Sequence, residues 1–329
     1  MTRLGEGLLE VDDPPVKALM IWAANPVVSN PEQGRVRAGL ERDDLFTVVV
    51  DHVPTDTTAY ADLVLPGTVQ TEHEDLHDSF SHLYVNWNNQ VVEPAGEALR
   101  HTEIFRRLAT AMGLEEPALH ASDEELARDL LSGDDPALDG VTLELLRSQG
   151  WVRLGGTSPY RPFADGFATP SGRFEFVSER GERDGVGRFP HYVPPFEAAS
   201  GLAGELALVA PANHYILNST FAGSPKHQRA GEAIVTVHPG DADGLVDGAA
   251  VEVGNERGSF LATLRVDELV RPGVAVTTKG LRPDGTSVNA TTLEADSDMG
   301  KGAVYHDNLV RIRPAPVADG DVAPSTSAG

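Results

Sequence analysis

The stretch from Thr47 to Pro66 places the strongest constraint on how this chain can fold. It opens with a run of β-branched residues and meets Asp51 where a buried strand would end. A polar turn over residues 54–58 follows, and then a short apolar run closed by Pro66. Open α/β sheets bind ligands beyond the carboxyl ends of their strands. Asp51 is therefore either a ligand-binding carboxylate or an ordinary turn cap, and this stretch alone leaves both readings open.

An earlier apolar run, residues 16–23, predicts a strand that is buried on both faces. A turn over residues 24–26 follows, then helical spacing over residues 31–41 and a second strand over residues 46–50. A strand, a helix and a strand at this spacing form one βαβ unit. The sequence therefore predicts a parallel α/β sheet, Rossmann-like in type, over residues 1–150.

Polar side chains come directly after the first predicted strand. Asn25 lies where that strand ends, and Arg35 and Arg37 follow in the predicted helix. These groups could hold a phosphate or a base, because arginine and amide groups donate hydrogen bonds to both. The alternative is a plain turn followed by a solvated helix.

The middle of the chain predicts three helices and then an extended connection. The first is expected over residues 101–112, and Gly113 ends it. The second is expected over residues 123–131, with Ser122 or Asp123 as its cap, and the third over residues 141–149. Proline punctuates residues 151–203, which predicts a linker with one short strand over residues 172–178.

Residues 204–314 contain short β-rich runs separated by Gly, Asp and Pro turns, which predicts a closed or nearly closed β-barrel. The last 15 residues, 315–329, are rich in Ala, Pro and Ser and are expected to be disordered. The six barrel strands are expected over residues 206–210, 233–238, 250–255, 258–266, 274–278 and 304–312.

Composition excludes several classes of function. The net charge of −24 over 329 residues argues against a nucleic-acid partner, because phosphate binding requires the opposite sign. Cysteine is absent, so this sequence supplies no disulfide, no Cys-ligated zinc or iron–sulfur cluster and no thiol nucleophile. No apolar run approaches the roughly 20 residues of a membrane helix. We expect a cytoplasmic protein without a membrane span.

One motif suggests a different chemistry. Residues 73–77 match H-E-x-x-H, with His73 and His77 as candidate zinc ligands, Glu74 as candidate general base and His82 as a possible third ligand. A zincin needs this motif on a long helix with an apolar face, whereas residues 70–81 are polar nearly throughout. A polar histidine-containing loop is the favoured reading, and a zinc protease is a remote alternative.

Read as a whole, the chain resembles the C-terminal half of a molybdopterin oxidoreductase of the dimethyl sulfoxide reductase type. No single block of the resemblance is specific to the family, but the order of the blocks along the chain is. The barrel part of the resemblance includes Asn213-His214, Asn218-Ser219, residues 238–242 and 255–258, and Asn289 followed by Leu293. The earlier blocks are Ala23-Ala24-Asn25-Pro26, Asp51 with residues 55–66 and Glu72, residues 93–98, and Thr169-Pro170-Ser171-Gly172-Arg173-Phe174-Glu175.

The resemblance implies a molybdenum or tungsten bis(molybdopterin guanine dinucleotide) cofactor and a double-psi-type six-stranded barrel. It assigns the guanosine end of one dinucleotide to the loop at Asn25 and the turn from Asp51 to Thr58, which includes Thr55 and Asp56. It places Asn213, His214, Asn218, Ser219 and Asn289 against the cofactor from the barrel. Buried polar groups there would orient the pterin and tune the metal.

The family's iron–sulfur cysteines, its substrate funnel and the residue that ligates the metal have no counterpart in this sequence. The resemblance therefore implies a truncated chain, a split gene or a gene fragment, with the N-terminal half or a separate Cys-rich chain as partner. We expect this chain to be inactive in oxo transfer or other two-electron chemistry without that half. The alternative is a stand-alone cofactor-binding or assembly module of a split enzyme.

Overall fold

The computed structural model describes residues 2–156, 159, 161–189, 191–197, 204–215, 217–220, 224, 233–280, 285–298 and 300–316. They form two compact units. Unit 1 consists of the described residues of Met1–Val49, Pro54–Leu63 and Val177–Gly329, and unit 2 consists of those of Val50–Val53 and Val64–Phe176. The predicted tail lies outside the described residues from 317 onward.

A three-stranded parallel sheet carries the predicted βαβ unit, with strand order β1-β2-β3. The start of each strand is hydrogen-bonded to the start of its neighbour: Phe46 N donates to Lys17 O and Asp62 N donates to Thr47 O, both at 2.9 Å. The turn expected at Asn25 is the start of a four-residue helix. The elements are α1 (Leu4–Leu9), β1 (Ala18–Trp22), α2 (Pro26–Ser29), α3 (Gln33–Leu40), β2 (Phe46–Asp51) and β3 (Leu63–Pro66).

Helices α1 and α3 approach each other closely because each has a glycine at the contact. A Cβ on Gly5 would lie 2.8 Å from Arg35 Cβ, and a Cβ on Gly39 would lie 2.7 Å from Leu8 Cβ. Leu8 is buried there beside Val36 and Leu40. The glycines thus allow α1 to cover the apolar side of α3.

Gly34 lies in the same helix as Gly39, but a Cβ on Gly34 would meet nothing within 4 Å. We expect Gly39→Ala to lower the free energy of unfolding by about 1–3 kcal/mol through overpacking. Gly34→Ala should leave it unchanged or raise it by about 0.5 kcal/mol, because alanine loses less backbone entropy in a helix. Urea unfolding of the two variants measures the difference, and equal effects would contradict the packing argument.

The barrel expected from the β-rich runs is present and closed, with strand order β10-β8-β11-β7-β12-β9. Pairs β10–β8 and β11–β7 are parallel and the others are antiparallel. Alternate residues of the strands point inward, so Leu208, Val235, Val253, Phe260 and Leu264 fill its centre. The strands are β7 (Leu206–Val209), β8 (Ile234–Val237), β9 (Ala250–Asn255), β10 (Gly258–Val266), β11 (Val274–Thr277) and β12 (Leu309–Pro314).

The last barrel strand begins five residues later than predicted. Asp307 N donates to Val304 O at 3.0 Å, which forms a turn instead of a strand. Tyr305 leaves the barrel wall at this turn and reaches the backbone of α2. The strand predicted over residues 304–312 therefore combined a turn with the strand that follows it.

Unit 2 contains the three predicted helices and an antiparallel sheet that the sequence pattern did not predict, with order β4-β5-β6. The C-cap of α4 is Gly113 with φ +68°, as expected, and Ser122 caps α5 in a reciprocal capping box with Glu125. The elements are β4 (Asp75–His77), β5 (Tyr84–Asn88), α4 (His101–Met112), α5 (Asp123–Leu131), α6 (Leu143–Gln149) and β6 (Trp151–Arg153).

One expectation for the middle of the chain is wrong, and the remote zinc-protease alternative lacks its helix. Residues 172–178 form no strand, because Gly172 N donates to Thr169 O in a turn and Ser178 caps a short helix, α7 (Glu179–Arg183). The H-E-x-x-H segment is not helical: its second half is strand β4. The zinc motif needs both histidines on one continuous helix, and the chain enters a strand at Asp75 between His73 and His77, so that helix is not formed.

Candidate functional site

Helix α2 has only four residues, so the carbonyls at its end lack partners within the helix. Barrel residues supply those partners. Ser287 Oγ and Asn289 Nδ2 donate to Val28 O at 3.0 and 2.8 Å, and the Tyr305 hydroxyl donates to Ser29 O at 2.9 Å. The loop after β1 is thereby attached to the barrel by three side-chain hydrogen bonds within unit 1.

Asn25 occupies the N-cap position of α2, yet its side chain does not cap the helix. Its Oδ1 accepts from Thr57 Oγ1 at 2.7 Å, and its Nδ2 donates to Ser219 Oγ at 2.9 Å and to Asp56 Oδ2 at 3.3 Å. Asn25 is buried, so these bonds satisfy it away from water. The structure thus brings together three predicted site residues, Asn25, Asp56 and Ser219.

Helix α3 reaches the same barrel loop. Gln33 Nε2 donates to Gly285 O at 3.2 Å, and its Oε1 accepts from Ser287 N at 3.2 Å. An Arg37 guanidinium nitrogen donates to Gly285 O at 2.5 Å. Gln33 is 1% exposed, so its two bonds are shielded from competing water. The loop from Gly285 to Ala290 is therefore held by both α2 and α3.

Three of the candidate residues from the sequence carry a buried polar atom without a hydrogen-bond partner among the described residues: Thr55 Oγ1, Asn289 Oδ1 and Arg37 Nε. Such atoms are costly unless a partner pairs with them, about 1–3 kcal/mol each. A hydroxyl can donate to a phosphate oxygen, and an amide oxygen can accept from an N–H of a pterin or a purine. The donor and acceptor set therefore fits a cofactor with a pterin, phosphates and a base.

The remaining barrel residues of the prediction lie after β7. Asn213 Oδ1 accepts from Tyr215 N at 2.8 Å, and its Nδ2 is 3.4 Å from Thr278 Oγ1. His214 is exposed and lies edge-on to the ring of Tyr215. Asn218 has φ +54°, a left-handed conformation that asparagine tolerates better than most residues. No hydrogen bond within the described part of the chain joins Asn213 or His214 to the group around Asn25.

Asp51 ends β2 and belongs to unit 2. Its Oδ1 accepts from His52 N at 2.8 Å, and the ring Nδ1 of His52 lies 3.4 Å from the same oxygen. His101, at the start of α4, packs against the backbone of Gly67, where a Cβ would come within 2.6 Å of its Nε2. Burial lowers the pKa of His101, and the nearby His73 and His52 lower it further.

Comparison with known proteins identifies the family. Residues 8–111 match the molybdopterin oxidoreductase family, and residues 206–309 match the molydopterin dinucleotide binding domain. The chain belongs to the dimethyl sulfoxide reductase family of molybdopterin oxidoreductases. This confirms the resemblance, and it places the barrel and its Gly285–Ala290 loop in a molybdopterin dinucleotide binding domain.

The chain spans about half the length of the relatives that it matches. It is 38% identical to the probable oxidoreductase YoaE of Bacillus subtilis, over 95% of this chain and 46% of YoaE. It is 28% identical to the dimethyl sulfoxide reductase DmsA of Escherichia coli, over 95% of this chain and 44% of DmsA. The solved structure of acetylene hydratase from Pelobacter acetylenicus shares the fold, with a TM-score of 0.75 and 24% identity over 95% of this chain and 46% of the hydratase.

Within the described residues of this molybdopterin oxidoreductase chain, no group of three or more His, Cys, Asp or Glu side chains could hold a metal ion. The zinc-protease alternative needed a helix at residues 73–77, where the structure has strand β4 instead. The described helices also include none that is long and apolar enough to cross a bilayer.

Sequence reasoning missed four residues at this site: Gln33, Ser287, Tyr305 and Lys279, whose Nζ lies 4.7 Å from the centroid of the Tyr305 ring. Gln33 and Tyr305 lie in segments read as a solvated helix and a strand. Their partners are more than 250 residues away in the sequence, so no local pattern reports them. A glutamine on the apolar side of a helix, beside Val36, was the one available signal.

Replacing Asn25 should destabilise the loop between β1 and α3. Asn25→Ala removes the partner of Thr57 Oγ1 and of Ser219 Oγ, so we expect a loss of about 2–3 kcal/mol in the free energy of unfolding. Urea unfolding measures the loss. Asn89→Ala, at an exposed asparagine, is the control and should change stability by less than about 0.5 kcal/mol. Equal effects of the two variants would contradict a structural role of Asn25.

The lowered pKa of His101 predicts a pH-dependent stability of unit 2. The unfolded chain binds a proton near the ordinary value of about 6.5, whereas the folded state resists protonation. The free energy of unfolding should therefore fall as the pH drops below about 6.5, until the lower folded pKa is passed. His101→Gln should flatten this slope, and His120→Gln should not. Urea unfolding at several pH values measures the slope. A slope that His101→Gln leaves unchanged would contradict the prediction.

Proposed function

We propose that this chain forms the dinucleotide-binding part of an oxidoreductase that uses a bis(molybdopterin guanine dinucleotide) cofactor. Its match to the dinucleotide binding domain over residues 206–309 supports the proposal, as does its similarity to YoaE and DmsA. When bound, the metal of such a cofactor supplies two-electron redox chemistry, often with transfer of an oxygen atom. The residues of this chain bind and orient the organic part of the cofactor.

The observation that carries the proposal is the state of Asn289. Its side chain is 3% exposed, its Nδ2 donates to Val28 O, and its Oδ1 has no partner among the described residues. The bond from Nδ2 fixes the orientation of the amide, so the oxygen faces the opposite way. A fixed acceptor of this kind selects a ligand N–H, because leaving it unpaired is costly.

The other residues fall into two groups. Asp56 and Ser219 each accept a hydrogen bond from Asn25, so we assign all three to holding the loop rather than to direct contact with the cofactor. Thr55, whose buried hydroxyl has no partner among the described residues, is free to donate to a phosphate oxygen. Asp51, at the carboxyl end of β2, can accept from ribose hydroxyls or base N–H groups.

The metal ligand and any iron–sulfur cluster would come from residues outside this 329-residue sequence. The sequence has no cysteine, so it cannot ligate such a cluster through thiolates. We propose that the residues which YoaE and DmsA carry beyond the matched stretch, on the same or a second chain, supply these groups. In that arrangement this chain alone is inactive in the redox step.

We also propose the finer description of the two folds. The parallel order β1-β2-β3 with helices between the first two strands fits a Rossmann-like half-sheet. The two parallel pairs in the closed barrel, β10–β8 and β11–β7, fit a double-psi barrel.

Asn289→Ala tests the proposed function, with guanosine diphosphate as the probe, because the N–H groups of guanine, like those of the pterin, can donate to the unpaired Asn289 Oδ1. We expect binding by the unmodified chain and at least a tenfold weaker Kd for the variant, about 1.4 kcal/mol, because the ligand loses its buried acceptor. Isothermal titration calorimetry measures the affinity, and thermal unfolding measures the accompanying loss of stability.

Ser287→Ala is the matched control, because Ser287 Oγ donates to the same carbonyl, Val28 O, but has its hydroxyl paired. It should lower the free energy of unfolding by about 1 kcal/mol, an amount similar to that for Asn289→Ala, with less than a threefold change in Kd. Equal losses of affinity in both variants would reduce Asn289 to a structural role. No binding of guanosine diphosphate to the unmodified chain at millimolar concentration would count against the proposed function.

A further inference from the structure

Phenylalanine is distributed in an unusual way over this chain. Ten of the eleven phenylalanines are among the described residues, and seven of those ten are more than half exposed. Phenylalanine is normally one of the most buried residue types. The seven are Phe46, Phe80, Phe163, Phe174, Phe176, Phe189 and Phe196.

Three of the seven lie in one segment of unit 2, which we call the aromatic loop (residues 161–176). Phe163, Phe174 and Phe176 are 67%, 61% and 78% exposed. Phe167 connects them: its ring stacks on Phe163 with centroids 4.7 Å apart and meets Phe174 edge-on at 5.8 Å. Phe174 in turn meets Phe176 edge-on at 5.0 Å. The four rings form one continuous apolar surface.

Polar groups fix the backbone beneath this surface. Thr169 Oγ1 donates to Arg173 O at 2.7 Å, and Ser171 N donates to a Glu175 carboxylate oxygen at 3.0 Å. Phe167 N donates to Gly172 O at 3.2 Å, and Gly172 takes φ +66°, which glycine adopts without strain. The Thr169–Glu175 block therefore builds a turn that presents Phe167 and Phe174, rather than the strand that its alternation suggested.

Phe163 adds a second observation. Its φ is +59°, a left-handed conformation that is strained for a bulky residue. Strained residues of this kind cluster at active sites, ligand clamps and switch regions. An exposed aromatic ring held in a strained conformation by a hydrogen-bonded turn gains nothing from water, whereas aromatic residues, phenylalanine included, are enriched in protein interfaces.

We propose that the aromatic loop is the docking surface for the residues that the family's members carry beyond the stretch matched here. The proposal rests on the proposed function, in which those residues complete the enzyme. The chain covers 46% of YoaE, so more than half of such a protein remains to be packed against this part. A second copy of this chain fits less well, because it would bring a further net charge of −24 against the first.

The test is co-expression of this chain with the portion of YoaE that lies outside the matched 320 residues, followed by purification through a tag on this chain. We expect a one-to-one complex in which hydroxyl-radical oxidation of Phe174 and Phe176 is several-fold slower than in the chain alone. Oxidation of Phe80, which is also in unit 2 and exposed, should keep its rate.

The variant F174S/F176S should weaken this complex by about 30-fold or more, because aromatic anchors dominate interface energy. Both residues are exposed, so the variant chain should keep its unfolding midpoint. Phe80→Ser, a matched loss of one exposed ring, should change the affinity less than about twofold. Glu175→Gln, which weakens the turn but keeps every ring, should have an intermediate effect.

Three results would overturn the proposal: no complex with the YoaE portion, a complex that F174S/F176S does not weaken, or self-association of this chain that the double variant abolishes. Failure of the proposed function is distinguishable. A complex that depends on the aromatic loop together with no effect of Asn289→Ala on nucleotide affinity would leave the docking surface standing and remove the cofactor assignment. A complex that does not depend on the aromatic loop, together with a loss of nucleotide affinity in Asn289→Ala, would keep the cofactor assignment and remove the docking surface.

Discussion

The structure of unit 1 depends on which groups satisfy the carbonyls at the end of α2. A helix of four residues has no intrinsic stability in water, since helix formation requires a costly nucleus. Val28 O and Ser29 O receive their hydrogen bonds from Ser287, Asn289 and Tyr305, all of which belong to the barrel part of the chain. Each unsatisfied carbonyl would cost about 1–3 kcal/mol. The loop after β1 therefore takes its shape from the barrel, and one of the partners that position Asn25, Ser219, lies 194 residues further along the chain.

The elements that the sequence predicted are those in which local pattern and burial agree. Every second position of the barrel strands is a buried apolar residue, so their bounds were found within five residues, and the cap at Ser122 and the stop at Gly113 were also correct. The errors arose where a pattern had another cause. Residues 172–178 alternate like a strand, but Thr169, Ser171 and Glu175 close a turn that exposes the phenylalanines. The H-E-x-x-H spacing places two histidines for zinc binding only when the segment is helical, and this segment contains strand β4 instead.

The candidate site was predictable in its residues but not in their roles. Resemblance pointed to Asn25, Thr55, Asp56, Ser219 and Asn289, and the structure distinguishes those whose polar atoms are paired with one another from the two that have a buried atom without a partner among the described residues. Such a distinction depends on side-chain contacts across long sequence distances. Gln33 shows the limit most clearly: its place beside Val36 on the apolar side of α3 suggests a buried polar partner, but its own segment does not identify Gly285 and Ser287 as the residues to which it bonds.

A chain with a net charge of −24 repels anions at long range, yet the proposed cofactor carries phosphates. The long-range term is screened beyond about 8–10 Å at physiological salt, so binding must rest on groups that act at contact distance. Buried donors and acceptors do so, because a low-dielectric surrounding strengthens each hydrogen bond.

Two cations also lie beside the loop that α2 and α3 hold. Arg37 donates to Gly285 O, Lys279 lies over Tyr305, and neither forms an ion pair with any carboxylate in the described part of the chain. In a protein this acidic, a basic side chain without an acidic partner keeps its charge available to an anionic ligand. Acidity of the whole molecule and affinity for a phosphate-bearing ligand are therefore compatible, because they operate over different distances.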